Sequence, residues 1–590
     1  MKKHYETHVE DTDKLISVAG PVLDYKSWYE QYRKLMEEQA QRKYGLYTPT
    51  SEGDDDFPSI SGMIARYSAL GLTNEQMAAN PVWVDKTGNG HDLQMKNFAW
   101  KEGSGISDVY LGALVFDGVD DYGVCDNFPI LTKEKGYTVV ALRQWITRGE
   151  IAQGLVSNVK NWLKDGAFLL EYRNIQADHL NKPISFGAIG SEMDLPHILT
   201  YQTSKSYNGV SITTGNFEGT DVLHVGKLAP TNVGTCINAA IWELVFLDHD
   251  ATEEELTKIK DYFVKTYPWL FPDQAWTVTG KTNEDEDRAT IANITGNGND
   301  LVLSNFGFAE GSGYGLYGEN YNGGRWVKST DRADLTWTSY SVNITSVKVA
   351  STQLYYQSYP EQPSFIVPSY KIKVYGLKDG QTLSYRQATS EGQQLYKISE
   401  DGTYTLPSFP FKANGDWYGF TLNKVQESCD ITIEQIPEYE GYLVTDGVDD
   451  VIQSKRFLLH RNWTMVGDWR FMPPEKNTNS GIVKSPAIRL YNQLNNIAIY
   501  INRTTNPKSI SGRSIKTVCS DGRIYLDDWS EFLDTELQTD FDNNTVISIA
   551  NYGVNFTKMI FKNLSFYDNQ LLSKDDCIKA YNYLQTLKSK

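Results

Sequence analysis

Asp117-Gly118-Val119-Asp120-Asp121 occurs again, letter for letter, as Asp446-Gly447-Val448-Asp449-Asp450, 329 residues further on. Upstream of the first copy stand Thr73-Asn74-Glu75, Thr87-Gly88-Asn89-Gly90, Asn97-Phe98 and Gly103-Ser104-Gly105. Each of these also recurs, as Thr282-Asn283-Glu284 at an offset of 209, then as Thr295-Gly296-Asn297-Gly298, Asn305-Phe306 and Gly311-Ser312-Gly313 at 208. The jump from 208 to 329 marks a 121-residue insertion in the second copy, between Gly313 and Gly441. Downstream, Tyr137-Thr138-Val139-Val140 matches Trp463-Thr464-Met465-Val466 at 326, and Leu244 to Asp248 matches Leu564 to Asp568 at 320. Self-similarity on this scale is the signature of a duplicated structural unit.

Both copies close on a helix signal. Thr252-x-x-Glu255 is a capping box, and Ser573-x-x-Asp576 is its shorter-armed counterpart. Leu256, Ile259 and Phe263 then fall on one helical face. Between the landmarks run short stretches rich in Val, Ile, Thr, Tyr and Phe, punctuated by Gly, Asn and Asp, which is antiparallel sandwich patterning. Thr-Gly-Asn-Gly is a tight turn in which Gly and Asn supply positive φ. Phe116 and Val119, before and within the acidic turn, are expected to point inward.

The insertion alternates in the same way, at Tyr370–Tyr375, 403–406 and 431–433, with turn signals at Lys378-Asp379-Gly380, Glu400-Asp401-Gly402 and Asn414-Gly415. The chain therefore reads as mostly β. Two antiparallel jelly-roll sandwiches span 61–270 and 271–325 with 441–590. A smaller β-sandwich over 326–440 interrupts the second, and a helical segment occupies 1–60. Asp24 can cap a helix from Tyr25 to about Tyr44. Trp28, Tyr32, Leu35 and Met36 make its apolar face, which must pack on its own sandwich or on another subunit. This face is the expected docking and self-association element, and Thr48 to Pro58 reads as a linker.

Composition narrows the function. In 590 residues there are 56 basic and 74 acidic side chains, a net charge of −18, so a general electrostatic grip on nucleic acid is excluded. Aromatics make up 13%, as β-sheet surfaces favour. No stretch approaches the apolar length that spans a bilayer, and no apolar run follows Met1-Lys2-Lys3, so export by a signal peptide is not expected. The five cysteines, widely scattered, form no zinc pattern and read as free buried thiols. A chain with the look of an adhesive surface protein but no export signal fits a particle released by lysis.

The repeat resembles the laminin G-like domains of the concanavalin A-like lectin/glucanase superfamily, on Asp85-Lys86-Thr87-Gly88-Asn89-Gly90-His91-Asp92-Leu93, Val115 to Tyr122, Tyr137 to Trp145 and Leu247 to Phe263. The second copy keeps Thr295 to Asp300, Asp446 to Asp450, Trp463 to Phe471 and Phe566 to Leu584. Met63-Ile64-Ala65-Arg66-Tyr67-Ser68 before Thr73-Asn74-Glu75 is also similar to appendage proteins of Bacteroides-infecting crAss-like phages. That resemblance implies a structural virion protein, a fibre or a capsid or tail decoration subunit, made in the host cytoplasm and docked on other virion proteins as a homo-oligomer. It further implies sandwiches displayed for attachment to a host surface glycan.

Three chemistries are open to residues of this sequence. A glucanase of this superfamily needs two carboxylates on alternate strand positions facing a cleft; Glu192-Met193-Asp194-Leu195-Pro196 supplies them but puts Pro196 where the second catalytic Glu belongs, so no catalytic residue is assigned. Asp117, Asp120 and Asp121, and Asp446, Asp449 and Asp450, place hard oxygen ligands on one turn; calcium is the cofactor they would hold, with turn capping as the alternative. Trp100, Trp162, Tyr172, Tyr491 and Tyr500 are the aromatics that could stack on sugar rings in a glycan-binding adhesin, the alternative to a purely architectural role.

Overall fold

The computed structural model describes residues 56–589 apart from several intervening stretches, the longest being 160–168, 174–198, 212–218, 228–235, 316–326, 358–364, 472–479 and 534–542. The expected N-terminal helix with Trp28, Tyr32, Leu35 and Met36 lies outside the described residues, as do Trp162, Glu192 and Asp194. The chain divides into two compact units, Met1–Phe271 with Ser573–Lys579, and Pro272–Leu572 with Ala580–Lys590.

Unit one holds a mostly antiparallel β-sandwich. Its eight-stranded sheet runs Val210–Ser211, Ser206–Tyr207, Leu199–Thr203, Thr138–Trp145, Asn238–Leu247, Leu114–Asp117, Gly105–Ile106. Asn238–Leu247 is long enough for its far edge to be shared end to end by Leu114–Asp117 and Met63–Ser68. The facing sheet runs Val82–Trp83, Leu93–Lys96, Tyr122–Asp126, Gly219–Val225, Gln153–Val159, Leu169–Arg173. Alternate residues of both sheets meet between them: Phe116, Val139, Ala141, Leu244 and Phe246 from the first, Leu93, Met95, Leu223 and Val225 from the second. Each large apolar side chain fully buried there contributes roughly 1.5–3 kcal/mol relative to exposure.

Unit two repeats this order strand for strand. Its first sheet runs Glu531–Leu533, Arg523–Leu526, Ile515–Cys519, Trp463–Phe471, Met559–Asp568, Leu443–Val444, Gly313–Tyr314, with Gln274–Thr277 sharing the edge of Met559–Asp568. The second runs Thr290–Ile291, Leu301–Ser304, Val451–Leu459, Asn543–Ile549, Ser480–Lys484, Ile488–Gln493, then adds Asn496–Ile501 and Lys508–Ser511. Even a backbone irregularity is duplicated. Pairing of the central strands slips by one residue at Trp242, between Ile241 and Glu243, and again at Lys562, between Phe561 and Asn563. A bulge is a one-residue event that neither hydrophobicity nor propensity dictates, so its recurrence at matched positions shows one topology used twice.

The insertion is a third sandwich with its own core. One five-stranded sheet runs Val327–Lys328, Ser351–Gln357, Trp417–Asn423, Thr382–Thr389, Gly392–Ile398; the other runs Ala333–Trp337, Ser341–Val347, Ile431–Ile436, Tyr370–Tyr375, Gly402–Leu406. Tyr385 and Phe420 from the first pack on Ile372, Val374, Ile431 and Ile433 from the second. In unit one, Gly105–Ile106 and Leu114–Asp117 are joined by a short turn in which Ser107 N donates to Ala113 O at 3.0 Å. In unit two the matching strands Gly313–Tyr314 and Leu443–Val444 still pair, and Gly315 N donates to Tyr442 O at 2.6 Å. The guest thus replaces a hairpin tip and leaves the ladder beneath it intact, as loop-tip insertions do.

Helix α1 (Asn74–Ala79) and helix α2 (Glu253–Thr266) each start on a complete capping box, from Thr73 with Gln76 and Thr252 with Glu255. Helix α3 (Lys574–Thr586) starts on Ser573, whose Oγ accepts from Asp576 N at 3.1 Å. Ile259, Tyr262 and Phe263 are the buried face of α2. All five cysteines are buried, and burial pushes the Cys125 and Cys236 thiols up to about 11. Among the described residues no helix is long and apolar enough to cross a membrane.

Candidate functional site

Among the described residues, the twin acidic turns are groups of carboxylates close enough together to hold a metal ion. In the first, oxygens of Asp117, Asp120 and Asp121 lie within 4.8 Å of one another; in the second, those of Asp446, Asp449 and Asp450 do. Their local hydrogen bonds are the same. Asp117 Oδ1 accepts from Val119 N at 2.7 Å and Asp120 N at 3.2 Å, while Asp121 Oδ2 accepts from Asp117 N at 3.0 Å. Asp446 Oδ1 accepts from Val448 N at 2.7 Å and Asp449 N at 3.4 Å, and Asp450 Oδ2 accepts from Asp446 N at 2.7 Å. Each turn is therefore closed by two carboxylates that satisfy its own amides.

Phe116 is buried as expected, but Val119 is not: it is 69% exposed, and its counterpart Val448 68%. The reason is the lock itself. With Asp117 accepting from Val119 N, residue 119 occupies the outermost position of the turn and its side chain faces outward.

Neighbouring repeat motifs hold the turn from outside. Asn97, at φ 69°, donates from Nδ2 to Asp120 O at 2.9 Å; Asn305, at φ 68°, donates to Asp449 O at 2.9 Å. Ser312 Oγ donates to Asp450 Oδ1 at 3.3 Å, whereas Asp121 Oδ1 is buried near Ser104 without a hydrogen-bond partner. Asp121 and Asp450 are buried. Burial pushes the Asp121 carboxyl up to about 6, against the pull of Ser104 and the Asp117 amide. It pushes Asp450 up to about 7 against the Asp446 amide. A divalent cation would be held by the three carboxylates of either turn, with further oxygens completing the six to eight that calcium takes. Burial holds the Asp450 carboxyl towards its protonated form, which binding of a cation would have to overcome.

The other shared motifs are locks of the same kind. Asn74 grips the hairpin backbone from both sides: Ile106 N donates to Oδ1 at 2.7 Å, and Nδ2 donates to Ile106 O at 2.7 Å. Asn283 does so at Tyr314, at 2.8 and 3.1 Å. The preceding glycines are obligatory. A Cβ on Gly105 (φ 145°) would lie 2.3 Å from Asn74 Oδ1, and one on Gly313 (φ 139°) 2.5 Å from Asn283 Oδ1. In the Thr-Gly-Asn-Gly turns, Asn89 Nδ2 donates to Ile64 O at 2.8 Å and Asn297 Nδ2 to Asp273 O at 2.7 Å.

The aromatic candidates are dispersed. Trp100 is half-buried at φ 50°, with its ring stacked on Phe98 at 4.9 Å between centroids. Phe308, at φ 48°, stacks on Phe306 at 5.8 Å in the second sandwich, so the pair is part of the duplicated framework. Tyr172 lies on Leu169–Arg173 in unit one. Tyr491 and Tyr500 lie on neighbouring paired strands of unit two, opposite Ala498 and Arg489.

No family model matches the chain, and no curated protein does either. Among solved structures it is similar to a Trypanosoma rangeli sialidase in complex with sialic acid, at 8% identity over 50% of this chain and 68% of that one, with a TM-score of 0.20. It is also similar to the CBM22-1-CBM22-2 tandem domain of Paenibacillus barcinonensis Xyn10C, at 8% identity over 45% of this chain and 98% of that one, with a TM-score of 0.13. Likenesses this slight bear on neither fold nor function.

Proposed function

We propose that the chain is a non-catalytic structural protein of a tailed-phage particle, a fibre or a capsid or tail decoration subunit, in which two matched sandwiches form the scaffold and the guest sandwich is displayed from a hairpin tip. One observation carries this reading. The side chains that define the repeat, Asn74, Asn89, Asn97, Asp117 and Asp121 with their counterparts in the second copy, bind the chain's own backbone. Residues retained through a duplication to hold turns are what a scaffold needs. The resemblance to phage appendage proteins supplies the setting, with docking on other virion proteins through the N-terminal segment. Immunogold electron microscopy with an antibody raised on the purified chain tests it. Gold on purified particles supports the reading; chain found only free in the lysate contradicts it.

Glycan binding by the same scaffold is the second reading, favoured by Trp100, an indole left half-exposed in a backbone conformation that bulky residues seldom adopt. Retention of sugars by the purified chain on a glycan array without product release supports it. Release of reducing ends would instead point to hydrolysis.

A further inference from the structure

The guest sandwich ends in an unusual edge. Gly392–Ile398 is the last strand of its five-stranded sheet, bonded to Thr382–Thr389 on one side in an uninterrupted register from Thr389↔Gly392 to Leu383↔Ile398. Six of its seven residues, Gly392 to Lys397, are exposed, Leu395 at 60%. A strand that buries only Ile398 adds little to its own sandwich; what it does offer is a row of backbone donors and acceptors along its outer edge. Edges of this kind are commonly interrupted by bulges, prolines or clustered charge. This one has no proline and no bulge, and its single charge is Lys397.

We propose that Gly392–Ile398 pairs antiparallel with the same strand of a second copy of this chain, joining two guest sheets across a two-fold axis at Leu395. Charge selects the occupant. Two chains of net charge −18 repel over most of their surfaces, so copies meet where carboxylates are absent. The strand Gly-Gln-Gln-Leu-Tyr-Lys-Ile has none. Centred on Leu395, the pairing sets Leu395 against Leu395, Gln394 against Tyr396 and Gln393 against Lys397, so that no two like charges stand opposite each other within the strand. Gln393 already accepts from the Arg386 guanidinium beside it, and in the pair it would stand between Arg386 and Lys397 of the second copy.

That placement makes the test two-signed. Sedimentation velocity on the full chain should show a concentration-dependent dimer. Leu395→Asp, which sets two carboxylates face to face, should weaken it by about tenfold or more, and Gln393→Lys should also weaken it. Gln393→Glu, which puts a carboxylate between Arg386 and Lys397 of the second copy, should tighten it by about fivefold. Both positions are exposed, and far-ultraviolet circular dichroism should show the fold unchanged in all three variants. A chain that stays monomeric at every concentration, or a dimer that responds to none of the three variants, overturns the proposal.

Discussion

Arg66 and Glu243 form a buried ion pair in the first sandwich, Nε to Oε2 at 3.1 Å, and the second sandwich has Ala275 and Asn563 at the matching positions. Tyr267 Oη donates to Glu243 Oε1 at 2.8 Å, Arg66 Nη2 donates to Tyr262 Oη at 2.9 Å, and Phe57 lies 4.1 Å beneath the guanidinium. Duplication has thus exchanged a charged pair for a neutral one at both ends together. A buried pair contributes little net stability, but leaving one charge alone costs about 3–5 kcal/mol. Arg66→Ala should therefore destabilise unit one by about that amount in urea unfolding. The double variant Arg66→Ala, Glu243→Asn, which writes the second sandwich's solution into the first, should recover most of the loss.

The two raised carboxyls set a pH dependence. Asp121 and Asp450 have folded values of about 6 and about 7 against an ordinary 3.8. Between the unfolded and folded values the native state holds more protons than the unfolded chain. Their contribution is full below about 4 and is lost as pH rises towards 7. Asp450→Asn, neutral throughout, should flatten this slope; in chelator its melting temperature at pH 8 should equal or exceed that of the wild type. Calcium added at pH 8 should then raise the wild-type melting temperature and leave that of the double variant Asp121→Asn, Asp450→Asn unmoved if the turns hold the ion, and move neither if the turns serve only their own amides.

The Asn74 clamp should be costly to remove. Asn74→Ala deletes two hydrogen bonds to the Ile106 backbone and should destabilise unit one by about 1–3 kcal/mol. Gly105→Ala should cost at least as much, since its Cβ would fall 2.3 Å from Asn74 Oδ1. Gly88→Ala meets nothing within 4 Å and should cost only the strain of its positive φ. Thermal unfolding of the three variants ranks them.

What could be read in advance follows from what each residue does. The turn motifs were legible because a positive φ, an Asx turn or a clamp beneath a glycine admits few residue types, and these sites occur twice. Sandwich class was legible from period-two runs, and the guest from the jump in offset. Val119 faces outward because it sits within a turn, where the in-and-out period of a strand does not apply. The Arg66–Glu243 pair could not be seen, since 177 residues separate its members and only strand register brings them together. Of the candidate site, the Asp clusters came together as expected because they lie within one turn. The aromatics carried no spacing signal that could have grouped them.

Excision of the guest tests the account most directly. Residues 316–441 would be replaced by the tip Asp108–Gly112, which closes the same hairpin in the first sandwich, and hydrogen exchange followed along Trp463–Phe471 and Met559–Asp568. If one sandwich was duplicated and a guest later lodged in its hairpin, both strands keep the protection they have in the intact chain. If protection collapses along both, the second sandwich is not an independent copy of the first, and the duplicated-scaffold account fails.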